Sequence, residues 1–155
     1  MSLYRIVYCS ESTGLDKHDI DQILETSDRN NSGVSVTGML LFNAGFFLQL
    51  LEGKRAEISR TFSRIAGDTR HKNVELISAA PTTYRLFGSW SMNYVSITGN
   101  AGRLLKKYQV DASFNPYSLT DKGAESLCRE FSELCLTDPG DLGSGVVSGQ
   151  GEFYQ

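Results

Sequence analysis

The stretch VSVTGMLLFNAGFFLQLLE, residues 34–52, decides the fold. Two apolar runs, VSVTGMLLF (34–42) and FFLQLLE (46–52), flank Asn43-Ala44-Gly45. A short Gly-containing link between two such runs is a hairpin signal. Upstream, Ile20, Ile23, Leu24, Ser27 and Asn31 fall at i, i+3, i+4, i+7 and i+11. That spacing predicts a helix from about Asp16 to Asn31 with one inward stripe. Asn30-Asn31-Ser32-Gly33 is expected to end it, since Asn and Gly accept a left-handed cap. Before the helix, SESTGLD reads as a loop and LYRIVYC (3–9) as a strand rich in Val, Ile and Tyr. Downstream of the hairpin, Ile58, Phe62, Ile65 and Ala66 predict a second helix over 55–67. VELISAA (74–80) and WSMNYVSI (90–97) then read as strands, with Pro81 at the end of the first, where a lost donor is cheap.

The order is β-α-β-β-α-β-β. Two helices crossing one face of a mixed sheet make an α+β, ferredoxin-like arrangement. That fold hosts many unrelated functions and names none. Residues 101–109 and 121–136 read as two more helices, the second with Leu127, Phe131 and Leu134 in phase. They are expected on the other sheet face, because an apolar face needs a partner. The last stretch, PGDLGSGVVSGQGEFYQ, is Gly/Ser-rich and reads as a flexible tail. The expected division is a core over 1–97, a helical extension over 98–138 and the tail over 139–155.

A chain of 155 residues with 40% hydrophobic and 21% charged residues has the balance of one globular domain. It contains no apolar run near the ~18 residues of a membrane span. The start MSLYRIVYCS turns polar too early for a signal peptide. Fifteen Lys+Arg against 18 Asp+Glu, net −3, argue against a nucleic-acid partner. Cys9, Cys128 and Cys135 are an odd set with no CxxC, so neither a disulfide framework nor a structural zinc site is expected. A reduced, cytoplasmic setting fits.

Gln49 is the costly residue, an amide inside a run apolar enough for a central strand. Buried without partners it would cost a few kcal/mol. Its bland reading is a Gln bonded to backbone, the usual fate of buried side-chain amides. Tyr8 lies on the Tyr4-Ile6-Tyr8 face of the first strand, and strand alternation groups Gln49 with Phe47 and Leu51. If the first and third strands are neighbours, phenol and amide lie side by side beneath the helices. Asn31 extends the inward stripe of the first helix; its bland role is a helix cap. Together the three suit a slot for a flat heterocycle with alternating acceptors and donors. Arg64, Asp68, Arg70 and His71 are expected to close the second helix, either as a solvated end or as a polar mouth to the slot. Trp90 and Met92 alternate onto one face of the last strand, by default as core. There is no GxGxxG, GxxxxGK[ST] or GxSxG, and His18 and His71 are too isolated for a metal site.

These residues bring a family into view. Over about residues 2–97 the chain resembles the BLUF domains, blue-light sensors using flavin. The matching stretches are LYRIVYCS (3–10), ILETSDRNN (23–31), VTGMLLF (36–42), FFLQLLEG (46–53), RIAGDTRHKNV (64–74) and WSMNYV (90–95). The two-helix extension resembles short, single-domain members. The resemblance implies a flavin ring (FAD first, FMN or riboflavin otherwise) inserted between the two helices. It implies that Asn31 bonds the pyrimidine side of the ring, that Gln49 lies near its N5 and O4, and that Tyr8 bonds Gln49. Ile23, Ser27, Asn30, Arg64, Asp68, Arg70 and His71 match positions lining the ring or its chain. Trp90 and Met92 match alternative neighbours of the Gln, relaying the signal. It implies a photoreceptor and not an enzyme: light moves an electron and a proton from Tyr8 and leaves Gln49 rotated or tautomerised. With no output domain expected in the chain, the signal should pass to a downstream effector protein, the chain itself being a homo-oligomer. Nucleic acid and membrane are not expected partners. The rival readings are a ferredoxin-like flavin-dependent oxidoreductase and a regulatory module binding a small metabolite.

Overall fold

The computed structural model describes residues 2–88, 90, 92–95, 99–108, 114–137 and 146–147. The elements run β1 (Leu3–Ser12), α1 (Lys17–Ser32), β2 (Thr37–Asn43), β3 (Phe46–Lys54), α2 (Arg55–Ala66), β4 (His71–Thr82), β5 (Met92–Val95), α3 (Gly99–Lys107), α4 (Asp121–Thr137) and β6 (Val146–Val147). The sheet order is β4-β1-β3-β2-β5-β6. β3 pairs antiparallel with both β1 and β2, so β1 and β2 run parallel with β3 between them. A parallel return needs a crossover, and α1 supplies it. α2 does the same from β3 to β4, which pairs antiparallel with β1. Two interleaved crossovers of this kind are the ferredoxin-like arrangement read from the sequence. β5 adds parallel to β2 and makes the sheet mixed.

The hairpin turns on Ala44 and Gly45, whose φ values of 54° and 86° are both positive. A two-residue loop of that kind has the twist that matches its strands. Gly38 is needed for another reason. A Cβ there would sit 2.0 Å from the Leu50 carbonyl oxygen of the adjacent strand.

Strand alternation sends side chains to two cores. Ile6, Tyr8, Leu40, Phe47, Leu51 and Met92 face Ile20 and Leu24 of α1 and Ile58 of α2. Val7, Cys9, Met39, Leu41, Leu48 and Leu50 face Ala101 and Leu105 of α3 and Ala124, Leu127, Cys128 and Phe131 of α4. α1 and α2 therefore cover one sheet face, and α3 and α4 the other. The α3–α4 contact is tied by Lys107 Nζ and the Tyr108 hydroxyl, both donating to Glu130. Among the described residues no helix is long and apolar enough to cross a membrane.

Several details depart from the sequence reading. β1 continues to Ser12, and β4 starts at His71, because the two pair out to that point across register shifts. α2 ends at Ala66, so Asp68 and Arg70 lie in the turn after it rather than closing it, and His71 opens β4. α1 starts as expected, with Asp16 and Asp19 forming a reciprocal capping box. It does not end in a left-handed cap. Gly33 has φ −66°, and the positive φ falls later, on Ser35 at 55°. Asn31 is thus inside the helix and is not its cap. Of the stretch 139–155, Val146 and Val147 pair antiparallel with Met92 and Asn93; its other residues lie outside the described set.

Candidate functional site

The site begins with one cross-strand pair. β1 and β3 are in a register that sets Tyr8 directly opposite Gln49. Both side chains are buried on the α1/α2 face. The Tyr8 hydroxyl donates to Gln49 Oε1. The other end of the amide is also used: Gln49 Nε2 donates to Met92 Sδ at 3.5 Å. A hydroxyl at one end and a thioether at the other fix which way the amide points, because Met sulfur can only accept. Burial pushes the Tyr8 phenol well above the ordinary tyrosine range, and the nearby Asp68 carboxylate adds to it.

Above this pair lies a cleft between α1 and α2. About 770 Å³ there, open mouth included, is free of protein atoms. The cleft is lined by Tyr8 and Gln49, by Ile23, Ser27, Asn30 and Asn31 of α1, by Arg64 of α2, and by Asp68, Arg70 and His71. Each ring- or chain-lining position expected from the sequence is therefore in one place. Thr26, Leu40, Phe47, Thr61 and Ile65 also line it and were not among those expected. Two had a local signal: Phe47 is two residues from Gln49 on one strand face, and Thr61 lies in the Ile58-Ile65 stripe of α2.

The mouth is electrostatically ordered. Asp68 grips Arg70 through Nε at 3.0 Å and through the terminal nitrogen at 2.5 Å, and also accepts the Arg70 backbone N–H at 2.9 Å. The Arg70 guanidinium holds the Asp68 carboxyl below the usual range. His71 is pinned at both ring nitrogens. Nε2 lies 2.6 Å from the Ile65 carbonyl, so it carries the proton and donates. Nδ1 lies 2.8 Å from Ser10 Oγ, which donates to it in the neutral ring. The ring stands edge-on to Tyr8 at 6.3 Å and to Phe47 at 6.2 Å.

Trp90 and Met92 do not share a face. Met92 is fully buried in the cluster beneath the cleft. Trp90 packs against the opposite cluster, its ring 6.2 Å from that of Phe87. The expected alternation fails because β5 starts at Met92, and Trp90 belongs to the turn before it, donating its N–H to the Phe87 carbonyl at 3.0 Å.

A cleft with apolar walls, three amides and a few hydroxyls fits a flat, polar-edged heterocycle. The family model described as "Sensors of blue-light using FAD" matches residues 3–93.

The chain belongs to the BLUF family.

The resemblance drawn from LYRIVYCS, FFLQLLEG and the other stretches is thereby borne out, with a flavin as the cofactor of the family. The chain is 28% identical over 120 residues to the photoactivated adenylate cyclase subunit beta of Euglena longa. That match covers 74% of this chain and 14% of the relative, so the chain spans about a seventh of its length. Among solved structures, BlsA in its photo-activated state is 25% identical with a TM-score of 0.77, covering 84% of this chain and 94% of that one. The dark-state structure of BlrB is 28% identical with a TM-score of 0.60, covering 90% and 89%. Over residues 3–93 the chain thus carries the domain that this family uses to sense blue light with a flavin.

Proposed function

We propose that light is sensed by loss of an electron and a proton from Tyr8, followed by reversal of the Gln49 amide, and that Met92 carries the change into β5. A bound flavin supplies the blue absorption and, once excited, a strong one-electron oxidant. Everything else is done by the chain. A tyrosine that gives up an electron becomes strongly acidic, and its hydroxyl already points at Gln49 Oε1. The proton moves to that oxygen. The amide then exchanges donor and acceptor ends with almost no change of shape. When the electron and proton return to Tyr8, Gln49 can be left in the reversed arrangement. The single observation that carries this reading is the bond from Tyr8 to Gln49 at the floor of the cleft, with Met92 on the far end of the amide.

The flavin ring is read as entering between α1 and α2, with its polar edge toward Asn31 and Asn30 and its chain passing Arg64, Asp68, Arg70 and His71. Ile23 and Ser27 line its path. FAD is the first choice among flavins. Absorption spectra of the purified protein before and after blue light test the whole reading. A reversible red shift of the flavin bands is expected. Light-independent reduction by a nicotinamide cofactor, without that shift, would favour a redox enzyme instead.

Asn31→Ala tests the pocket. It removes a buried amide, and leaving one polar edge of a ligand unpartnered costs about 1–3 kcal/mol. Flavin is expected to bind roughly 5- to 150-fold more weakly. Equal affinity in a flavin titration would place Asn31 outside the binding set.

The output is read as passing from β5 to the helices at the back of the sheet and on to an effector protein, with the chain acting as a cytoplasmic homo-oligomer. The names of its adenylate cyclase relatives join light to an effector activity. Met92→Ala should keep the red shift, since Tyr8 and Gln49 remain, and should blunt the change in α3 and α4. Hydrogen exchange over 90–136, dark against light, is the measurement. The same light response in mutant and wild type would take Met92 off the route.

A further inference from the structure

Glu52 is fully buried, yet it is far from idle. It sits three residues beyond Gln49 on β3, on the opposite sheet face. Its Oε1 accepts the backbone N–H of Leu86 at 2.9 Å and its Oε2 that of Phe87 at 2.6 Å. Oε2 also accepts from the Thr37 hydroxyl at 3.1 Å. Arg5 Nε stands 3.5 Å from Oε1, and the same guanidinium reaches Glu125 on α4 at 3.3 Å and the Tyr84 carbonyl at 2.9 Å. A buried charge is expensive to desolvate, and an apolar residue of similar volume often does as well for stability. What an apolar residue cannot do is hold two successive backbone N–H groups of one turn.

That turn decides what reaches Gln49. The Phe87 carbonyl accepts the Trp90 N–H at 3.0 Å, and the Phe87 ring carries the Trp90 indole. The Trp90 carbonyl then accepts the Gly38 N–H at 3.2 Å, and the chain enters β5 with Met92 against Gln49. Trp90 and Met92 are two residues apart, so pleat alone would give them the same face. A slide of two residues, roughly 6.6 Å along the strand, would bring the indole to the site now held by the sulfur. Against that slide, Arg85 ties the chain just before the turn to the Thr37 hydroxyl and the Ser35 and Glu52 carbonyls, and the Glu52 carboxylate holds the turn's own N–H groups at Leu86 and Phe87.

We propose that Glu52 is a positioning residue for the Gln49 switch: it clamps the backbone at Leu86 and Phe87 so that Met92, and not Trp90, stands against the amide. This rests on the reading of Gln49 as the light-driven switch. It assigns the buried ion pair with Arg5 a purpose beyond packing, because the same clamp joins the turn to α4 through Glu125.

The chain has a single tryptophan, Trp90, so its fluorescence reports the position directly. The experiment compares Trp90 emission in the dark, in flavin-loaded wild type, Glu52→Gln, Glu52→Asp and Thr37→Val. Gln at 52 keeps the volume but turns a donor NH2 toward a backbone N–H. Trp90 is then expected to move beside the flavin and lose most of its emission. Glu52→Asp keeps the charge and both acceptors and should lose less. Thr37→Val spares both backbone bonds and should match wild type. The flavin red shift should survive in all four, since Tyr8 and Gln49 lie on the other face. If Glu52→Gln does not fold, the aspartate and valine variants decide by the same comparison. Wild-type emission in a folded Glu52 variant would overturn the proposal. A missing red shift in wild type would instead sink the photosensor reading, and the dark Trp90 comparison would still judge Glu52.

Discussion

Tyr8→Phe is expected to bind flavin at close to wild-type occupancy and to show no light-induced red shift. The substitution removes one oxygen and keeps the ring, which stands edge-on to Phe62 at 5.5 Å. It leaves Gln49 Oε1 without the donor it has now. A buried acceptor left unsatisfied costs about 1–3 kcal/mol, so the mutant folds with a lower unfolding midpoint. Its photochemistry is affected far more, because phenylalanine is a poor electron donor and has no proton to release. A normal photocycle in this mutant would remove Tyr8 from the mechanism. The pH dependence follows from the same burial. The Tyr8 pKa is raised by desolvation and by Asp68, so the neutral phenol is favoured in the fold. Its contribution to stability is complete below the unfolded value of about 10 and fades as pH rises through the higher folded value. Between about pH 6 and 9 neither the phenol's charge nor that contribution changes. The red-shift amplitude measured across that window is therefore expected to be flat in so far as Tyr8 sets it.

How much of this was legible in the sequence depends on how far each signal had to reach. The Tyr4-Ile6-Tyr8 alternation and the run FFLQLLE are local, and they are enough to put a phenol and an amide on the inner faces of two strands. Interleaved crossovers make those strands neighbours, and the direct Tyr8–Gln49 register follows. The helix stripes were equally local, which is why the cleft walls emerged from them. Alternation counted from residue 90 puts Trp90 on the Met92 face, whereas the strand begins at Met92 and leaves Trp90 outside its pleat. The segment before that strand is bonded through the N–H groups of Leu86 and Phe87 to the Glu52 carboxylate, more than thirty residues away in sequence. No pattern within the 90–97 window carries that information. The early start of β4 at His71 was hidden for a related reason. β4 is an edge strand with register shifts against β1, so its inward and outward positions do not alternate cleanly. The inside position of Asn31 could be read from the stripe, but the helix end could not, since Gly33 closes the helix without the left-handed turn its type suggests.

Gln49→Leu should also abolish the reversible red shift, for a different physical reason that a second measurement can separate. Leucine fills nearly the same volume in a strand whose neighbours Leu48, Leu50 and Leu51 are fully buried. The loss is chemical: both ends of the amide go, so Tyr8 has no acceptor and Met92 no donor. The unpaired buried hydroxyl costs about 1–3 kcal/mol, and part of this is offset because leucine needs no desolvation of an amide. Stability should thus change less than function. The two mutants part company in flavin fluorescence. Tyr8 remains an electron donor in Gln49→Leu, so flavin emission should stay quenched near the wild-type level. In Tyr8→Phe the donor is gone, and emission should rise. Quenching kept with the shift lost assigns Tyr8 to the electron and Gln49 to the memory of the event. A full red shift in Gln49→Leu would show that the amide is not the switch, and the clamp by which Glu52 holds Met92 against it would then lose its purpose.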